Sequence, residues 1–334
     1  MANLLLTDTC VRSCPYCFAK KHMANAAIDD ILSWENLIYV ADFMEASGDK
    51  RISLLGGEPS LHPNFIEFIV YLLERNFHVN IFTSGIMSEE KLIEANRVLS
   101  GINPERLSFV VNLNNPKIST FSENESVKRF LKVFGHLSSP GFNIYKTDFD
   151  LDFLFQYINQ YGLKKHMRLG LAHPIPGKRN KYVGIADMKK MAGRLLEFEQ
   201  QFERFQVSCG LDCGMPLCIF TDEQLGKLYK ISQGHLNFGC GPAVDIGTDM
   251  SVWCCFPLSD FHKKSLFDFD NIREVVEFYR DKQNLVRSEV SGIFEECDNC
   301  IQAKNRLCSA GCAAHMLSWF KNEKQVRMEG IYHE

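Results

Sequence analysis

The thirteen cysteines of this 334-residue chain are distributed in a way that few folds accommodate. Cys10, Cys14 and Cys17 stand as C-x3-C-x2-C near the N-terminus, none falls between Cys17 and Cys209, and the other ten lie from Cys209 onward. Such segregation implies two modules with separate chemistry. Three close thiols can hold three irons of a four-iron cluster and leave the fourth iron open for a ligand. Contribution to a zinc site, or to half of a disulfide framework, is the alternative. The odd total opposes disulfides, as does a Met1 to Leu6 start with no basic segment and too short an apolar stretch for a secretory signal. A reducing, cytoplasmic setting with metal ligation is therefore expected.

A second motif gives the first a purpose. Arg51-Ile-Ser-Leu-Leu reads as an apolar strand that runs into Gly56, Gly57, Glu58 and Pro59. Glycines at a strand end let backbone approach a ligand closely, and Glu58 offers an acceptor for an ammonium group, although a plain tight turn has the same composition. Together the two motifs resemble those of the radical S-adenosylmethionine (SAM) enzymes. That signature has an aromatic before the last cysteine, here Tyr16, and Gly-Gly-Glu-Pro on the second strand. The resemblance implies a four-iron cluster on Cys10, Cys14 and Cys17, with SAM chelated on its open iron. It also implies a flavodoxin- or ferredoxin-type electron donor, and one-electron cleavage of the sulfonium to a 5′-deoxyadenosyl radical that abstracts hydrogen from a substrate.

Composition allows this and excludes other classes. A hydrophobic content of 46% supports a full core, and no apolar run approaches the roughly 20 residues of a membrane span. A net charge of -4 with interspersed signs gives no footprint for nucleic acid. Through residue 205 short apolar strands alternate with amphipathic stretches. Strands are expected at Asn3 to Thr7, Arg51 to Leu55, His78 to Ser84, Leu107 to Asn112, Phe142 to Tyr145 and His166 to Leu171. Helices fit near Ser33 to Ser47, Pro63 to Arg75, Ser88 to Leu99, Ser122 to Phe134, Leu151 to Tyr161 and Ile185 to Phe205. Six βα units make an α/β fold with a partial (β/α)6 TIM-like barrel over 1–205, as the resemblance also implies, and a small cysteine-rich auxiliary domain over 206–334.

Right-handed crossovers put the strands' C-terminal ends on one rim, where barrel active sites form. Both motifs land there. The resemblance further implies SAM contacts from Ser84 and Asn112 at the ends of strands three and four, and from Arg168 and Leu171 on strand six. An ordinary turn or ion-pair role is the alternative for these polar residues.

The C-terminal cysteines resemble the SPASM extension of peptide-modifying radical SAM enzymes, which houses two auxiliary four-iron clusters. Cys240 and Cys255 bracket an expected β-hairpin, and Cys297-x2-Cys300-x7-Cys308-x3-Cys312 is a compact group. The chain departs from the family pattern at Met250, where glycine is expected; in the gap between Cys300 and Cys308, seven residues instead of five; and in having no cysteine after Cys312. By that pattern Cys312 would join Cys240, Cys255 and an upstream cysteine, which leaves Cys297, Cys300 and Cys308 one ligand short. Two complete sets arise instead if Cys297, Cys300, Cys308 and Cys312 form one and Cys213, Cys218, Cys240 and Cys255 the other. This second partition is the expectation, with Cys209 and Cys254 as spares and zinc as the alternative for the C-terminal four.

Weaker candidates are His173 after strand six, Asp212 and Asp245 as bases, and the Lys178, Arg179 and Lys181 loop for an acidic peptide. Three functions compete: a maturase of peptide or protein side chains, a radical dehydrogenase or isomerase of a small metabolite, and a non-enzymatic iron–sulfur carrier. Epimerisation would need a hydrogen donor such as Cys254 or Cys209. The short stretch before Cys10 opposes a leader-dependent maturase.

Overall fold

A computed structural model describes residues 2–19, 26–27, 30–177, 179–212 and 214–317. The six expected strands pair in chain order, all parallel: β1 (Ala2–Leu5), β2 (Arg51–Leu55), β3 (His78–Thr83), β4 (Leu107–Asn112), β5 (Ser138–Ile144) and β6 (His166–Leu171). Between them run α1 (Trp34–Ala46), α2 (Phe65–Glu74), α3 (Glu89–Leu99), α4 (Phe121–Phe134) and α5 (Asp152–Tyr161). Local chemistry starts several of these helices. The side chains of Ser33, Ser88 and Thr120 accept the N–H groups of Asn36, Lys91 and Glu123, and Glu123 returns a bond to Thr120. Packing then holds them: α2 buries Phe65, Ile66, Phe68, Ile69 and Leu72 on one face, each worth about 1.5 to 3 kcal/mol.

Two elements differ from expectation. β5 begins at Ser138, ahead of its apolar run, because Ser138 and Ser139 are held by pairing with Phe109 and Val110 of β4. The helix expected over Ile185 to Phe205 is broken into a 3-10 turn (Ile185–Asp187), α6 (Met188–Leu196) and α7 (Glu199–Phe205). The break falls where the Glu197 and Phe198 N–H groups turn back to the carbonyls of Arg194 and Leu195.

The sheet also continues past residue 205. β7 (Ser208–Asp212) pairs parallel with β6 at one edge. At the other, β8 (Asp245–Ile246) pairs parallel with β1, followed by antiparallel β9 (Ser251–Trp253) and β10 (Lys264–Ser265). The full order is β10-β9-β8-β1-β2-β3-β4-β5-β6-β7. Both edges thus come from the cysteine-rich part of the chain, which also supplies α8 (Asp222–Ile231) and α9 (Ile272–Glu289). The seam at β1 is chemically specific: Asn3 Nδ2 donates to Asp245 Oδ1 at 2.6 Å, and burial raises that carboxyl to a pKa of about 7.

Alternation along the strands separates two faces. Leu4, Ile52, Leu54, Val79, Ile81, Phe109, Val111, Met167, Leu169 and Leu171 lie in the main core with the helices. On the inner face Leu5, Leu55 and Trp253 form a small second cluster with Phe82 and Phe256. Polar groups share that face, with Ser108 Oγ donating to Asn80 Oδ1 at 3.0 Å. Among the described residues no helix is long and apolar enough to cross a membrane.

Candidate active site and cysteine groups

The loop after β1 and the turn after β2 are zipped together. Gly57 N–H donates to Thr7 O at 2.7 Å and Glu58 N–H to Thr9 O at 2.8 Å. Only glycine permits this approach: a Cβ on Gly56 would lie 2.3 Å from Thr7 O, and one on Gly57 1.9 Å from Thr9 O. Gly56 also has φ +148, where side chains are strained. The two glycines therefore press the second motif onto the root of the cysteine loop, and these two N–H groups are spent there.

Within the loop, Cys17 N–H donates to Cys14 O at 3.2 Å, and Arg12 N–H points at Cys10 Sγ at 3.4 Å. Burial pushes the Cys10 thiol up to about 12, and the nearby charges of Glu58, Cys17 and Cys14 push the same way. Three thiols gathered so close to a carboxylate are costly as thiolates without a cation. Coordinated iron reverses that cost, because a metal ion deprotonates its thiol ligands outright. The donor set thus fits an iron–sulfur cluster.

Other strands brace the loop. Tyr16 stacks on Tyr145 at 5.0 Å and its hydroxyl donates to Asn114 Oδ1 at 2.9 Å, while Arg12 donates to Asn112 O at 3.1 Å and pairs with Glu123 at 3.4 Å. Burial, then Cys14, drives the Tyr16 phenol pKa upward, so it stays a neutral donor. Lys181 N–H reaches back to Pro15 O at 2.9 Å. Arg12 and Tyr145 carry no motif, so spacing could not single them out.

Glu58 is buried at 1% exposure and its carboxylate is saturated. It accepts from Ser60 Oγ at 2.9 Å, Thr83 Oγ1 at 2.7 Å, Ser84 N at 2.7 Å and Ser84 Oγ at 2.6 Å. It clamps β2 to β3, and Ser84 is committed to that clamp. Asn112 has a buried Oδ1 with no hydrogen-bond partner among the described residues, beside Gly141 on the inner face. Arg168 is ion-paired with Asp212 and lies over the Phe82 ring at 5.2 Å, also on the inner face. Leu171 is fully buried in the main core, on the face it shares with Leu169 and Met167. His173 is buried with its ring edge-on to His315 at 5.2 Å, and Lys178 lies outside the described residues.

The C-terminal thiols group differently from the expected partition. Cys218, Cys297, Cys300 and Cys308 line one cavity of about 20 Å³ with Pro216, Leu217, Gln302, Ala303 and Ala310. Cys218 is raised to about 11, first by burial and then by Cys297, Cys308 and Cys300. Cys312 lies with Cys240 and Cys255 instead. Cys240 is raised first by its hydrogen bond with Cys312, then by burial; Cys255 is raised first by its bond with Cys254, then by burial and by Cys312 and Cys240. This grouping differs from the partition that put Cys312 with Cys297, Cys300 and Cys308, and Cys218 with Cys240 and Cys255. Counting thiols along the chain could not see that the chain reverses between Cys308 and Cys312. Cys213 lies outside the described residues.

Among the described residues no three Cys, His, Asp or Glu side chains converge on a single-ion position. Thiols ranged around a volume suit a polynuclear cluster, whose ligands bind different irons. A tetrahedral zinc ion would draw four sulfurs to about 2.3 Å from one point. The Met250 departure also has a local account: its φ is +63, the left-handed conformation that explains a glycine preference there, and Met250 takes it at a cost of roughly 1 kcal/mol. The two spare cysteines are buried in the main core, Cys209 raised to about 12 by burial and Cys254 accepting from Gln283 Nε2 at 3.0 Å.

Comparison with known proteins agrees with this geometry. Residues 4–148 match the Radical SAM superfamily model. PqqA peptide cyclase of Granulibacter bethesdensis is 32% identical over 104 residues, 31% of this chain and 27% of that protein. Probable GTP 3',8-cyclase of Saccharolobus islandicus is 26% identical over 209 residues, 50% of this chain and 67% of that protein. The match thus spans only about a quarter of the peptide cyclase. Among solved structures, Streptococcus suis SuiB bound to S-adenosylmethionine gives a TM-score of 0.64 at 14% identity, covering 96% of this chain and 74% of that one. Native anSMEcpe with bound AdoMet gives 0.63 at 16% identity, covering 99% of both. These likenesses extend the shared fold through the cysteine-rich region. The match to the Radical SAM superfamily model, over residues 4–148, covers a little under half of the chain and includes both zipped motifs.

Proposed function

We propose that this protein reductively cleaves SAM and uses the product to take a hydrogen atom from a peptide or protein side chain, ending in oxidation or a cross-link. The carrying observation is the close joining of the Cys10 loop to the Gly56–Glu58 turn, through Thr7 and Thr9, on the rim of a polar inner face. Cys10, Cys14 and Cys17 would hold the cluster, and a four-iron cluster with SAM on its open iron supplies one-electron cleavage of the sulfonium and a 5′-deoxyadenosyl radical. The chain's own residues do the rest. Tyr16, Tyr145 and Asn114 fix the loop; Glu58 and Ser84 set the rim; Asn112 Oδ1 and the Arg168–Asp212 pair present polar groups towards the SAM and the substrate.

Support for a peptide comes from the fold shared along nearly the whole chain with SuiB, seen with its precursor peptide SuiA, and with anSMEcpe, seen with a Kp18Cys peptide. Net oxidation is favoured over epimerisation because Cys209 and Cys254 face the main core rather than the inner face, so neither is placed to return a hydrogen atom. The two C-terminal thiol groups then serve as auxiliary iron–sulfur clusters that accept the substrate electron, with a flavodoxin- or ferredoxin-type protein as donor to the first cluster. Similarity to GTP 3',8-cyclases supports a second reading, a small nucleotide as substrate. The two readings separate in one experiment. Anaerobic, reduced protein is given SAM with either GTP or peptides encoded beside its gene, and dehydrogenated or cross-linked peptide is expected. Turnover of GTP and of no peptide would overturn the peptide reading.

A further inference from the structure

We propose that Cys218 completes a four-thiol iron–sulfur site with Cys297, Cys300 and Cys308, while Cys312 serves the separate site of Cys240 and Cys255. The inference deepens the proposed function, since it rests on the C-terminal thiols holding clusters. The four thiols line one cavity of about 20 Å³.

The local sequence builds this site from two distant segments. Pro216 leads into a 3-10 turn (Leu217–Ile219) closed by Phe220 N–H on Leu217 O, with Ile219 and Phe220 buried as anchors, so Cys218 is presented from a rigid corner. Leu217 N–H points at Cys308 Sγ at 3.5 Å, a backbone donor of the kind that tunes a ligated sulfur. Opposite, α10 (Ile301–Lys304) ends with Leu307 N–H on Gln302 O at 2.9 Å and Arg306 at φ +58, which absorbs the seven-residue gap and returns Cys308 to the cavity.

The chain then reverses. In a continued helix Cys308 and Cys312 would be i, i+4 neighbours on one face. Ala310 at φ +59 and Gly311 at φ +96 break that relation, and the backbone of Gly311 packs on Ile293, whose side chain would stand 2.8 Å from any Cβ there. Cys312 is thereby turned towards Cys240, and it packs on Gly214, where an added Cβ would lie 3.0 Å from the Cys312 Cβ. Two consecutive left-handed residues thus assign neighbouring thiols to different sites. With four protein thiols the Cys218 site has no open iron, which suits electron transfer rather than substrate binding. Cys218 is its most exposed member and sets it at the surface.

The test uses the full chain with Cys10→Ala, Cys14→Ala and Cys17→Ala, so that only auxiliary iron is read, whatever the N-terminal site does. Anaerobic reconstitution should load about eight irons, two clusters of four. Cys218→Ala should lower this to about four, adding Cys297→Ala should lower it no further, and adding Cys312→Ala should remove the remainder. Cys218→Ser, which keeps a ligand of similar size, should change the electron paramagnetic resonance spectrum of one cluster and leave the other as in the parent. Retention of about eight irons in Cys218→Ala, an unchanged spectrum in Cys218→Ser, or no further loss on adding Cys312→Ala would overturn the assignment. A parent chain without auxiliary iron, or with zinc in its place, would overturn the cluster reading beneath it as well.

Discussion

The cysteine sites at the two ends of the chain are built by opposite means. Cys10, Cys14 and Cys17 come from one loop, so their spacing alone brings them together, and the fold has only to dock that loop on Gly56 and Gly57. The C-terminal groups are assembled across long stretches of chain: 91 residues separate Leu217 from the Cys308 sulfur that its N–H approaches. A local site is robust to what happens elsewhere. A distributed one depends on every backbone reversal between its parts, such as that at Ala310 and Gly311.

The sharpest way to break the contrast is at the docking point. Gly57→Ala puts a methyl group into the Thr9 carbonyl, so SAM cleavage should fall to background while the C-terminal irons stay in place. Loss of auxiliary iron in that variant, measured by metal analysis, would mean that the two ends are not independent.

The seam between the regions gives the next largest effect. Asp245 rises from 3.8 to about 7 on folding, so the folded chain holds a proton there that the unfolded chain gives up. Stability from this group is full below pH 3.8, falls as pH rises towards 7, and is flat above; three units correspond to about 4 kcal/mol. Asp245→Asn should remove that slope and raise the melting temperature at pH 8. If β8 unfolds apart from β1, only one of two melting transitions will move.

Glu58→Gln comes next. An amide N–H2 cannot accept from Thr83, Ser60 or Ser84, so a cost of about 2 kcal/mol is expected in denaturant unfolding, together with weaker SAM binding. Cys254→Ala should do least: about 1 kcal/mol, from the lost Gln283 contact, with iron content unchanged. Iron loss in Cys254→Ala would place Cys254 among the ligands.

These effects follow what was legible in the sequence. The βα order and the shared rim of the two motifs could be read because strand periodicity and motif spacing are local; that Gly56 and Gly57 make their close approach to Thr7 and Thr9 could not. The tie between β1 and β8 could not: a two-residue strand has no periodicity, and Asn3 bonds a residue 242 positions away. Nor could the committed state of Glu58, whose partners Thr83 and Ser84 are ordinary strand-end residues until the sheet aligns them. Arg168 reads from sequence as a SAM contact or an ion-paired side chain with no partner named, and only the pairing of β6 with β7 brings Asp212 to it. Cys218 was visible as a thiol but not as a partner of Cys297, because allocation depends on backbone conformation at two residues far from it.

The most direct measurement is of 5′-deoxyadenosine released when the anaerobically reconstituted, dithionite-reduced protein is incubated with SAM. The wild-type chain should form it, and Cys14→Ala should form none while keeping its auxiliary iron. Release by Cys14→Ala at the wild-type rate, or none from a wild-type chain with a full N-terminal cluster, would contradict the assignment of the Cys10 loop as the site of SAM cleavage.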